Sequence, residues 1–241
     1  MKKYLLLASI TICIGIIIPC KLHAVDFTVG ATTWYTWWDL NMDLANGEGK
    51  KKIDIDPGFL YGPVLGVKFN DDFNLTFVYL LGKFNLNDPI EIKSTKETSE
   101  ISRTDVDLAL NYRLNDYFKI FAGIKSMSFY FASEWDHGNM GPGLGLSAIY
   151  PLDDNLFLIA NLSGFYFFTT GYEEAWKFKE YGMNSTLSLA YYITSISTTV
   201  SLGGRFQYSK STYSPDDALA PSREPTTQNF YGITLTATYT F

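Results

Sequence analysis

The sequence predicts an all-β fold, a closed antiparallel transmembrane β-barrel of ten strands with short turns at one end and long loops at the other. Three observations lead there. Segments from residue 25 onward alternate apolar and polar residues with a period of two, which places the two sets on opposite faces of a strand. Their connections switch in strict rotation between very short turns and long polar stretches. Aromatic residues make up 17% of a chain whose mean hydropathy is only −0.01, which suits a sheet that turns its rings outward to lipid and gathers them at both membrane surfaces.

The first element lies outside that barrel. Met1-Lys2-Lys3 precedes an apolar run from Tyr4 to Pro19, and Leu22-His23-Ala24 follows; a basic start, an apolar stretch and a small residue before the cut form a signal peptide. The run is shorter than the roughly 20 residues a helix needs to cross a bilayer. Cys20 sits near its end, but Ile18-Pro19 before it fits a lipidation motif poorly. Cleavage after Ala24 leaves residues 25–241 as one barrel domain and removes both Cys13 and Cys20, so no disulfide staples the fold. It also removes Lys2, Lys3 and Lys21 and no acid, making the mature chain three units more negative than the −6 of the whole. So acidic a chain lacks the basic footprint of a nucleic-acid binder.

Within the first strand, Val25 to Leu40, the cluster Trp34-Tyr35-Thr36-Trp37-Trp38 alternates so that Tyr35 and Trp37 face lipid near the outer interface. Trp34 and Trp38 then face the lumen. An interfacial girdle explains such a cluster, and a stacking platform for sugars or flat apolar groups is the second reading. Strands starting at Phe59 and Phe73 come next. In the segment Ser102 to Arg113, Val106, Leu108, Leu110 and Tyr112 oppose Arg103, Asp105, Asp107, Asn111 and Arg113. Burying that charged face unpaired would be very costly, so it must meet water or partners. Strands starting at Phe118, Pro142 and Leu156 follow, then Tyr181 to Ile193 and a segment ending near Tyr208. In the last strand, Tyr231, Ile233, Leu235, Ala237, Tyr239 and Phe241 oppose Gly232 and four threonines.

Asn70-Asp71-Asp72, Asn115-Asp116, Pro151 to Asn155 and Thr194-Ser195 are tight turns made of residues that tolerate turn geometry. Long loops are expected over residues 41–56, 87–101, 132–141, 171–180 and 209–228. Turns of this kind face the periplasm in outer-membrane barrels, and an even strand number returns both termini there. Because lipid cannot hydrogen-bond an exposed strand edge, Val25 to Leu40 must pair with Asn229 to Phe241. A soluble β-sandwich also has short alternating strands, but it leaves the terminal Phe241 and the outward rings unexplained.

The signal peptide, the alternating strands and a last strand ending Tyr239-Thr240-Phe241 resemble bacterial outer-membrane β-barrel proteins, which include small porin-like, OmpA-like and OmpW-like barrels and the ten-stranded omptin proteases. The resemblance covers the mature chain. It implies export through the periplasm to the outer membrane of a diderm bacterium, recognition of the last strand through Tyr239 and Phe241 by the barrel assembly machinery, and contact with outer-membrane lipid and lipopolysaccharide.

The inner face is expected to carry Lys68, Arg103, Asp105, Asp107, Arg113, Lys119, Lys125 and Arg205. These residues either form charge pairs that fill and rigidify the lumen or line a narrow pore for small polar solutes with a weak anion preference. Asp54 and Asp56, with Asp136-His137, invite comparison with the acidic pair and the Asp/His pair of omptins. The match is weak, because Asp136 and His137 are adjacent whereas the family separates that pair by one residue. His137, the last histidine left after cleavage, is expected to be a solvated loop residue. Lipid A deacylation would need a histidine on the lipid face, and no strand shows one. Charged stretches such as Lys93 to Glu100 are expected to be solvated surface. The expectation is a small porin-like channel or structural surface protein with no enzyme activity, no cofactor and no metal. The alternatives are a surface-exposed adhesin or ligand-binding barrel acting through its loops and, last, a barrel-embedded hydrolase.

Overall fold

The computed structural model describes residues 25–43, 50–92, 96–131, 135–169, 178–213 and 226–241. The signal segment therefore lies outside the described residues. Eleven strands follow one another: β1 (Asp26–Asp43), β2 (Lys50–Ile53), β3 (Gly58–Lys68), β4 (Phe73–Ile92), β5 (Lys96–Arg113), β6 (Phe118–Phe131), β7 (Trp135–Pro151), β8 (Leu156–Thr169), β9 (Phe178–Ile193), β10 (Thr198–Tyr213) and β11 (Thr226–Thr240). Ten of them form a closed antiparallel barrel in chain order. The ring shuts where β1 meets β11, in register from Thr28 against Thr240 to Met42 against Thr226. Closure leaves no strand edge to face lipid, where an unpaired amide has no substitute partner.

The eleventh strand was not expected. β2 pairs only with the far end of β1, Leu40 opposite Ile53 and Asp43 opposite Lys50, beyond the point where β3 starts with Gly58 opposite Thr36. Residues 54–57 break the line between them, and Ile55 bridges to Leu86 instead. β2 thus extends the position of β3 beyond the ring.

Side chains alternate as the period of two requires. Outside, Leu108, Leu110, Ile124, Leu144, Leu162, Leu187, Leu202 and Ile233 are exposed in a middle band. Exposed Phe27, Phe73, Tyr112, Phe118, Tyr150, Tyr191 and Tyr239 ring the turn end, while Trp37, Phe59, Tyr61, Tyr130, Phe168, Tyr181 and Tyr231 ring the other. An aliphatic belt between two aromatic girdles is the signature of a barrel solvated by a bilayer.

The tight turns fall where residue chemistry predicts. Asn70 Oδ1 accepts from the amides of Asp72 (2.9 Å) and Phe73 (2.8 Å), and Asn115 Oδ1 does the same for Tyr117 and Phe118, both at 2.9 Å. At the last turn a 3₁₀ segment, Thr194–Ile196, ends on Ser197 at φ 47°. A non-glycine residue in this left-handed region is strained by roughly 1 kcal/mol or more, so Ser197→Gly is expected to raise the urea midpoint of the vesicle-embedded barrel by a shift worth about 1 kcal/mol. A lower midpoint would show that the serine hydroxyl matters more than the strain.

The long loops are shorter than expected. β4 continues to Ile92, β5 starts at Lys96, β7 at Trp135, β9 at Phe178, and β10 runs on to Tyr213. Above the hydrocarbon a ladder needs no apolar face, so the period-two hydropathy fades while the hydrogen bonding continues. His137 is accordingly not a loop residue: it stands in β7 opposite Phe129.

Candidate functional site

The lumen has two unlike halves. Towards the hairpin end, the inward positions of successive strands carry Trp34 and Trp38, Leu60, Leu80 and Phe84, Ile101, Met127 and Phe129, Phe165 and Phe167, and Phe230, all nearly or fully buried in one cluster. Trp38 is its centre, 5.0 Å from Phe230, 5.2 Å from Phe129 and 5.2 Å from Phe84 between ring centroids. The sequence reading filled or lined the lumen with charged residues; in this half it is filled by rings and aliphatic side chains. Ten strands enclose more space than eight, and large rings take up the difference. Trp34 Nε1, Trp38 Nε1 and Gln228 Oε1 are buried without a hydrogen-bond partner among the described residues, which offsets part of the packing gain.

Beneath the plug lies a layer of charge. Arg103, with no exposed surface, donates from Nε and Nη2 to both carboxylate oxygens of Asp105 at 2.8 and 2.7 Å. Its guanidinium carbon stands 3.9 Å from the ring centroid of Phe230. Lys125 Nζ donates to both oxygens of Asp107 at 2.8 Å. Arg205 reaches that carboxylate only at 4.0 Å; its Nε donates to Asn184 Oδ1 at 3.2 Å and its plane covers Trp34 at 4.4 Å. The period of two puts Arg103, Asp105 and Asp107 on the same face of β5, and the register sets Lys125 beside Asp107.

Towards the turns the lumen widens into a cavity of about 360 Å³, with Lys125, Asp107 and Arg205 at its inner end and Asn111, Asn161 and Asn184 among its walls. Phe121 crosses one side, and its ring and the Leu162 carbonyl oxygen occupy the space that a side chain on Gly145 would need; only glycine fits there.

Of the eight lumen candidates, five (Arg103, Asp105, Asp107, Lys125 and Arg205) meet in this layer. The other three stand at the turn end. Lys68 pairs with Asp71 at 2.9 Å and Asp26 at 3.9 Å, Arg113 pairs with Asp116, and Lys119 lies opposite Arg113. The charged interior is thus largely paired rather than a ring of free cations. Sequence reasoning missed Glu180, which is buried and accepts a hydrogen bond from Asn139; it falls in the loop expected over residues 171–180, although β9 carries it inward at the same parity as Asn184. Also missed was the buried amide of Gln207, whose Oε1 accepts from Arg103 at 3.3 Å.

Trp34 and Trp38 face inward, while Trp37 faces out and stacks on Tyr231 at 5.9 Å. Tyr35 packs beside it, 5.0 Å from Trp37 and 4.8 Å from Phe59. With Trp34 and Trp38 buried, neither offers a free stacking face. Tyr239 contacts Phe241 edge-on at 4.8 Å, and the Phe241 amide donates to Phe27 O at 2.9 Å. Asp54 and Asp56 are exposed, with Asp54 accepting from Asn87 at 2.9 Å. The side chains of Asp136 and His137, and residues 93–95 of the charged stretch, lie outside the described set.

No protein-family model matches the chain, and no curated protein sequence matches it. Among solved structures it is similar to the outer membrane protease OmpT from Escherichia coli at 10% identity, covering 90% of this chain and 96% of that one, with a TM-score of 0.51. It also aligns with outer membrane protein AlkL (13% identity, 92% of both chains, TM-score 0.45) and with OprG from Pseudomonas aeruginosa (15% identity, 90% and 96%, TM-score 0.37). At such identities the likeness to OmpT bears on the fold. With the aliphatic belt and paired girdles, it makes this chain a ten-stranded outer-membrane β-barrel.

Proposed function

We propose that this barrel is a structural surface protein of the outer membrane, closed to free diffusion, without enzyme activity. The supporting observation is the ring layer of Trp38, Phe129 and Phe230 over Arg103, in which no member is more than 4% exposed. A general pore needs a continuous wet path with charges free to meet ions. Here rings fill one half, and the strongest charges of the other half face each other. The proposed role uses the barrel as a rigid anchor that holds five paired hairpins above the membrane.

Planar-bilayer recording tests this reading. Refolded protein is expected to give no discrete conductance steps up to breakdown voltage. Regular steps with an ohmic open level would overturn it in favour of the porin-like alternative.

A further inference from the structure

The cations at the inner end of the cavity on the turn side of the plug are unequally paired. In the layer that closes it, Arg103, Lys125 and Arg205 face Asp105 and Asp107, and the buried Glu180 lies within electrostatic reach of Arg103. Arg103 binds both oxygens of Asp105 through Nε and Nη2, its Nη1 being buried without a hydrogen-bond partner among the described residues, and Asp107 gives both oxygens to Lys125. Arg205 is the least tightly paired cation of the layer. Its ion contact is loose at 4.0 Å and its plane is fixed by Trp34 and Asn184. Glu180 is not among the residues that line the cavity: Gly182 separates it from Asn184 along β9, and the Phe165 ring packs over Gly182.

We propose that this cavity binds a small hydroxylated organic anion entering from the turn end, with the oxyanion taken by Arg205 and Lys125 and the hydroxyls by the asparagine amides. A guanidinium held flat by an aromatic ring and one amide is preorganised for an oxyanion, since its remaining N–H donors keep their fork geometry. Asn184 spends its carbonyl oxygen on Arg205, which leaves its amide nitrogen as a donor to the cavity. Asn111 donates to backbone and Thr76, leaving its carbonyl oxygen as an acceptor. Inward positions nearer the turns include the small Gly145, Ser188, Ser201, Gly203 and Thr236 beside the larger Phe157 and Ile159, whereas tryptophan and phenylalanine fill the other side. The volume, about 360 Å³, is that of an ordinary small-molecule site.

Isothermal titration of the refolded full-length barrel in lipid nanodiscs tests the site with glucuronate, glucose 6-phosphate and glucose as probes. At least one anion is expected to bind saturably, more weakly as sodium chloride rises, while glucose does not. Arg205→Gln should weaken binding about ten- to hundredfold, and Asp107→Asn, which removes the competing carboxylate, should strengthen it. Failure of both anions to bind wild type below about 10 mM overturns the proposal, as does glucose binding equally well. If Arg205→Gln does not fold, as judged by its gel mobility before heating, an unchanged affinity in Asp107→Asn overturns it instead. Conductance and titration are separate readouts, so failure here is distinguishable from failure of the closed-barrel reading.

Discussion

Arg103→Leu is expected to destabilise the folded barrel by about 3–5 kcal/mol, measured as a fall in the urea midpoint in lipid vesicles. The substitution removes a guanidinium that is wholly buried and bonded twice to Asp105, which is itself only 1% exposed. What remains is a carboxylate without its close partner in a dry layer of rings, and its desolvation is no longer offset. Gln207 loses a partner as well, and Phe230 loses the cation seated 3.9 Å over its face. The double variant R103L/D105L is expected to recover most of the loss, because apolar replacement of a buried pair is often close to neutral. Equal destabilisation of single and double variants would mean that Arg103 acts chiefly through packing on the rings.

The second large effect concerns the plug. Trp38→Ala combined with Phe230→Ala removes two of the rings whose centroids lie 5.0 Å apart at its centre. Truncating buried aromatics costs about 3–5 kcal/mol each, so the doubly truncated barrel should unfold at markedly lower urea. It should also pass ions in discrete steps where the parent is silent, since the strands that enclose the gap are tied by their ladders and cannot collapse to fill it. Lower stability with continued electrical silence would show that the remaining rings, Phe129, Phe84 and Trp34, repack across the lumen.

Much of the fold could be read from the chain because lipid imposes a simple rule on every strand. Val106, Leu108, Leu110 and Tyr112 had to share one face and Arg103, Asp105 and Asp107 the other, and the turns at Asn70 and Asn115 announced themselves by their own side-chain hydrogen bonds. The hairpins beyond the membrane were less legible. Residues such as Trp135 to His137 continue a ladder that carries no apolar rhythm. β2 was hidden for the same reason, being four residues, only Ile53 of them apolar, laddered to the end of β1.

The candidate site shows the same division. Local alternation identified the five charges of the central layer one strand at a time, but their partners come from β5, β6 and β10, and only strand register and barrel closure bring them together. Alternation also cannot distinguish a wet lumen from a filled one. Leu80, Phe84, Met127 and Phe129 share the inward parity with Asn74, Lys119 and Lys125 on their strands, and their depth along the barrel, not their parity, assigns them to the plug. The sequence by itself determined which face of each strand meets lipid, since hydrocarbon rejects charge wherever the strand lies. Only the tertiary structure decided which half of the lumen is dry, because that depends on side chains many residues apart meeting at one height inside a closed ring.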